Sequence, residues 1–113
     1  MRGGGVEQLR RAVAERRRLS FSGAVFVALA ITEKGELADD PQVDLSGVPE
    51  KDTDGKTIDE RVYDIVISTF ESLPRAKRRD PDALAESIRR AVRAEVNAAW
   101  GKKPLCQVHV LTV

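Results

Sequence analysis

Between Ser20 and Ile31 the chain reads Ser-Phe-Ser-Gly-Ala-Val-Phe-Val-Ala-Leu-Ala-Ile, its most apolar stretch. With a period of two, Phe21, Val25, Val27, Leu29 and Ile31 share one side, and Ser22, Ala24, Phe26, Ala28 and Ala30 the other. A half-buried strand puts polar residues on its second face. Here that face is small but dry, so the strand either lies between two layers or meets a partner. It is the predicted central strand.

The rest of the pattern arranges itself around it. Thr32-Glu33-Lys34-Gly35-Glu36 is a turn signal, which predicts a hairpin. On the return strand Leu37, Val43 and Leu45 share one parity and Glu36, Asp40, Gln42 and Asp44 the other; Pro41, which cannot donate to a ladder, marks an edge strand or a bulge. Residues 46–56 are turn formers and charge, an exposed loop. Thr57 and Glu60 have capping-box spacing, and Ile58, Val62, Ile65, Val66, Thr69, Phe70 and Leu73 then recur at three and four until Pro74 closes the helix. A second helix begins at Asp80-Pro81, an N-cap acceptor followed by proline. Its stripe is Leu84, Ile88, Ala91, Val92, Val96 and Ala99, with Glu86, Arg90, Arg93 and Asn97 pointing away. Gly101 suits its cap and Pro104 blocks continuation. A last strand follows from Leu105, with Cys106, Val108 and Val110 alternating with Gln107, His109 and Leu111.

Two helices with one apolar stripe each must lie on the same face of the sheet as an αα-hairpin, and they return the chain so that the third strand runs parallel to the first. The expected fold is α+β, a two-layer α/β sandwich of topology β-β-α-α-β. Its three-stranded mixed sheet has order 2-1-3. An optional helix precedes it: Val6, Leu9 and Val13 give a thin stripe, and isolated helices shorter than about 12–15 residues are marginal. Residues 1–19 are therefore a flexible or helical lead-in, opening on three glycines, and residues 20–113 the α/β domain.

Composition narrows the function. The chain has 113 residues, room for one domain, with 42% hydrophobic residues and a net charge of +1. Residues 1–18 carry a balance of +4, residues 33–64 of −7 and residues 65–113 of +4, two basic segments around an acidic one. The single cysteine, Cys106, excludes an internal disulfide and fits a reducing compartment. The apolar run is too short to span a bilayer and follows a polar start, so a soluble cytoplasmic protein without membrane contact is expected.

Catalytic motifs are absent: no nucleophile elbow, phosphate loop, zinc-protease motif or His/Cys cluster occurs. Asp52 and Asp54 beside Gly55 faintly resemble a calcium loop, but the spacing fails beyond it. His109 alternates on a strand, which suits a structural or interfacial role. Arg16, Arg17 and Arg18, and Arg75, Lys77, Arg78 and Arg79 between the helices, are candidate RNA phosphate contacts; helix-dipole complementation and solvated surface are the alternatives. The sharper candidate is an assembly face made of Ala24, Phe26, Ala28, Ala30, His109 and Leu111, with polar margins from Gln42, Asp44 and Gln107.

Four stretches, in order, carry a family resemblance: Glu15-Arg16-Arg17-Arg18-Leu19-Ser20-Phe21-Ser22-Gly23, Asp40-Pro41-Gln42-Val43, Leu73-Pro74-Arg75-Ala76 and Trp100-Gly101-Lys102-Lys103-Pro104. Together they resemble the C-terminal domain of bacterial ribonuclease J in its alphaproteobacterial form, over residues 15–113. That family has a metallo-β-lactamase fold with a β-CASP insertion and acts as a metal-dependent 5′-to-3′ exoribonuclease and endoribonuclease in RNA maturation and decay. Its histidine- and aspartate-rich metal motif matches nothing here. The resemblance thus implies a non-catalytic appended domain, linked to its core through residues before Ser20, with no cofactor of its own and a divalent metal, zinc, in the parent. It implies the catalytic core of the parent and further subunits of a homo-oligomer as partners, and RNA through the parent enzyme.

Overall fold

Alternation of bulky and small residues is borne out by the sheet at the centre of the chain. The computed structural model describes residues 23–51 and 55–113. The expected lead-in, the Arg16, Arg17 and Arg18 cluster, Phe21 and the Asp52/Asp54 pair lie outside the described residues. Ala24–Ile31 forms β1, Gln42–Ser46 forms β2 and Leu105–Thr112 forms β3, in the order β2-β1-β3. β2 pairs antiparallel with β1, from Ala24 opposite Ser46 to Ala28 opposite Gln42. β3 pairs parallel with β1 along its whole length, from Ala24 beside Leu105 to Ile31 beside Thr112.

The return strand is shorter than its apolar parity suggests. Ile31 makes an isolated bridge to Leu37, while Ala28 already faces Gln42. Three steps along β1 are thus matched by five on the other side, and the excess around Asp39 to Pro41 bulges out. Pro41 lacks the amide that would continue the ladder, so the interruption falls there.

Helix α1 spans Ile58–Ser72, a single turn α2 spans Arg75–Arg78, and α3 spans Pro81–Trp100. The connection between the long helices is helical rather than the simple loop expected from sequence. Each long helix buries one row at spacings of four: Ile58, Val62, Val66 and Phe70 on α1, Leu84, Ile88, Val92 and Val96 on α3. These rows meet Val25, Val27, Leu29, Ile31 and Cys106 from the sheet in one core. Fully burying an aliphatic side chain of this kind contributes about 1.5–3 kcal/mol relative to leaving it exposed. Trp100, Val108 and Val110 close the margin of that core as half-buried neighbours.

The two helix starts differ. The Asp80 carboxylate accepts from the amides of Asp82 at 3.1 Å and Ala83 at 3.3 Å, a side-chain cap of the kind worth about 1 kcal/mol. The capping box expected at Thr57 is not formed: its hydroxyl makes no cap bond and is buried without a partner, and the Glu60 amide donates instead to the Asp59 carboxylate at 3.0 Å. Tertiary pairing explains the change. Thr57 bridges Lys51 and the Ile58 amide donates to the Glu50 carbonyl, which fixes the entry to α1 before the side chain can turn to its own helix. At the far end of α3, Gly101 takes a left-handed cap with φ 80°.

One orientation on α3 also differs from expectation. Arg90 and Asn97 are exposed, but Arg93 is half-buried, with its Nε enclosed and its guanidinium beside the Cys106 sulfur. β3 is an edge strand, so a long side chain over its margin can lay its stem on the sheet and reach past it.

Candidate assembly face

Strand pleating sends alternate residues of the three strands away from the helices. The register places Ala24 between Ser46 and Leu105, Phe26 between Asp44 and Gln107, and Ala28 between Gln42 and His109, with Leu111 beside Ala30. The structure therefore brings together all six predicted face residues: Ala24, Phe26, Ala28, Ala30, His109 and Leu111. Gln42, Asp44 and Gln107 lie at the margins, as the alternation implied. Among the described residues no element covers this face. Phe26 is 38% exposed and Leu111 67%.

Sequence reasoning missed Val113. Its amide donates to the Ile31 carbonyl at 2.8 Å, which continues the β3 pairing by one residue and leaves its side chain 69% exposed next to Leu111. The alternation from Leu105 already carried that information, but a chain end is an unsafe place to extend it. Phe26, Ala28, Gln42, Asp44 and His109 also line a shallow depression of about 360 Å³. Asp44 is the one acidic group on the open face of the three strands, and no Lys or Arg stands there. An apolar band with a polar rim and little charge is the anatomy of a docking surface.

The interhelix cations are placed differently. Arg78 does not face outward as a free cation: its Nε donates to the Leu73 carbonyl at 2.8 Å, its Nη2 to the Glu71 carbonyl at 3.0 Å, and its guanidinium lies 5.3 Å from the centre of the Phe70 ring. It satisfies the end of α1, which Pro74 leaves without continuing amides. Arg75, Lys77 and Arg79 are exposed. Arg78→Ala should therefore lower stability by about 1–2 kcal/mol, since it removes hydrogen bonds from a charged donor as well as the ring contact. Lys77→Ala should leave the urea midpoint within error; equal losses for both would contradict the capping role.

Cys106 is a core residue. Burial pushes its thiol above the ordinary value of 9.0, while Arg93 and Arg89 pull the other way. A second concavity, of about 500 Å³, lies between β2 and α1 and is lined by Pro41, Val43, Asp59, Glu60, Tyr63 and Asp64. There the Tyr63 hydroxyl donates to Asp40 at 3.3 Å, and partial desolvation together with that carboxylate raises its pKa above 10.0. Among the described residues no three His, Cys, Asp or Glu side chains converge to hold a metal. No helix among them is long and apolar enough to cross a membrane.

Residues 11–113 match the family described as Ribonuclease J C-terminal domain. The chain is also similar to a Ribonuclease J of Sinorhizobium meliloti (strain Sm2011 / Rm2011 / 2011), with 43% identity over 101 residues. The match takes in 89% of this chain and 18% of that relative, so the chain spans less than a fifth of the relative's length.

Proposed function

Because the chain belongs to the ribonuclease J C-terminal domain family, we propose that it is the non-catalytic assembly domain of a ribonuclease J-type enzyme. In this reading it docks the open sheet face against another part of the parent assembly and so supports RNA processing and decay by a core that lies outside this chain. The observation that carries the reading is the exposed band of Phe26, Ala28, Leu111 and Val113, which holds apolar area in water with one acidic side chain at its margin. Nothing in the internal packing requires that face to be dry, since the core lies wholly on the helix side of the sheet. The 5′-to-3′ exonuclease and endonuclease chemistry, its divalent metal, the cytoplasmic setting and homo-oligomer formation belong to the same proposal for the parent.

RNA capture through the basic turn has less support. Arg78 is committed to the α1 terminus, which leaves Arg75, Lys77 and Arg79 as the described cations of that cluster able to meet phosphate. The two readings separate in the full-length enzyme. Phe26→Asp should lower its mass by light scattering, whereas replacing Lys77 and Arg79 by Gln should leave that mass unchanged. Mass unchanged by Phe26→Asp, with RNA affinity and its salt slope reduced by the Gln pair, would replace assembly by phosphate capture.

A further inference from the structure

Edge strands are normally protected, because a row of unpaired amides and carbonyls is a template for another strand. β2 is protected: it is five residues long, carries Asp44, and follows the Pro41 interruption. β3 is not. Its eight residues, Leu-Cys-Gln-Val-His-Val-Leu-Thr, contain no Asp, Glu, Lys, Arg, Gly or Pro, and among the described residues nothing pairs with its outer side.

The direction of its backbone groups follows from two bonds. The Leu105 amide donates to the Gly23 carbonyl at 2.9 Å and the Val113 amide to the Ile31 carbonyl at 2.8 Å. In a parallel pair a residue's N–H and C=O point to the same side, so the odd positions of β3 face β1 and Cys106, Val108, Val110 and Thr112 turn their backbone groups outward. The side-chain pattern about Val108 is nearly palindromic. Leu105 and Leu111 are equidistant from it on the open face, as are Gln107 and His109, while Cys106 and Val110 mirror each other on the core face.

Resting on the assembly reading above, we propose that the outer edge of β3 pairs antiparallel with the same edge of a second copy, on a two-fold axis at Val108. Cys106 then faces Val110 of the other copy and Val108 faces Val108, joined by about six backbone hydrogen bonds as hydrogen-bonded pairs. Leu105 faces Leu111, and Gln107 faces His109, in the closer non-hydrogen-bonded positions. The outward backbone groups allow a two-fold axis at Val108, and the side-chain symmetry selects it among the positions along the edge. Pro104, with no amide, ends the pairing at one side, and the open faces of both copies run on as one surface. Two cations stand near this margin: Arg89, held in an ion pair by Glu86, and Arg93, whose side chain beside Cys106 must turn aside from the edge as the second copy docks.

The test uses the 113-residue chain in sedimentation velocity, with residue-resolved amide exchange. The wild type should dimerise. Gln107→Lys with His109→Lys puts like charges opposite each other twice and should weaken the dimer about tenfold or more, whereas Gln107→Lys with His109→Glu should restore it. Amides of Cys106, Val108 and Val110 should exchange slowly in the dimer and fast in the Lys/Lys variant. Those of Gln107, His109 and Leu111 should stay protected in both, which shows that the sheet is intact. A monomeric wild type, or Lys/Lys and Lys/Glu variants of equal mass, overturns the edge pairing. If instead Phe26→Asp dissociates the dimer and Lys/Lys does not, the edge fails while the open-face reading stands.

Discussion

Gly23→Ala should remove about 2–4 kcal/mol of stability, a large share of the roughly 5–15 kcal/mol available to a domain of this size. Gly23 sits at φ 86°, where a side chain is strained, and an added Cβ would lie 2.7 Å from the Gly47 carbonyl oxygen and 2.8 Å from the Ser46 carbonyl oxygen. Both obstacles are backbone at the end of β2, so relief requires the strand to move. Gly101→Ala is the control. Its φ of 80° imposes the same conformational strain, but nothing stands within 4 Å of its added Cβ. It should lose only about 1–2 kcal/mol. Urea denaturation of the two variants measures the difference, and equal losses would mean that the close approach of Gly23 to β2 does not matter.

Phe26→Asp should weaken association of the full-length enzyme by about 30- to 1,000-fold, equivalent to roughly 2–4 kcal/mol. A carboxylate at position 26 stays hydrated in the free chain, where Phe26 is already partly exposed beside Asp44 and Gln107. Docked against an apolar partner, it would be desolvated without a counterion, and a neighbouring Asp44 adds repulsion. The folded state of the isolated chain should barely change, since the substitution faces away from the core. Loss of folding with loss of assembly would place Phe26 in the fold and not in an interface.

Much of this was legible from period alone. The alternation of Val25, Val27, Leu29 and Ile31 against Ala24, Phe26, Ala28 and Ala30 identified β1 as central, and the rows on α1 and α3 required both helices on one side. Order 2-1-3 then followed, as did the composition of the open face, because side-chain direction in a strand depends only on parity. What sequence could not show depends on contacts made outside the period of a single element. Thr57 has the right spacing for a capping box, yet its backbone is committed to Lys51, six positions earlier across a loop with no periodicity of its own. Arg93 reads as solvent-facing on a helical wheel but lies over an edge strand, where the margin of the sheet admits a long side chain beside Cys106. Arg78 looks like its basic neighbours until the end of α1 is placed under it.

The central claim is that the open sheet face is covered in the assembled enzyme. Hydroxyl-radical footprinting of Phe26, His109 and Leu111, in the 113-residue chain and in the full-length enzyme under the same conditions, tests it most directly. The account predicts that oxidation at all three falls several-fold in the full-length assembly while that of the half-buried Trp100 stays the same. Equal oxidation of Phe26 and Leu111 in the two proteins would show that this face remains in water, and would contradict the assembly function.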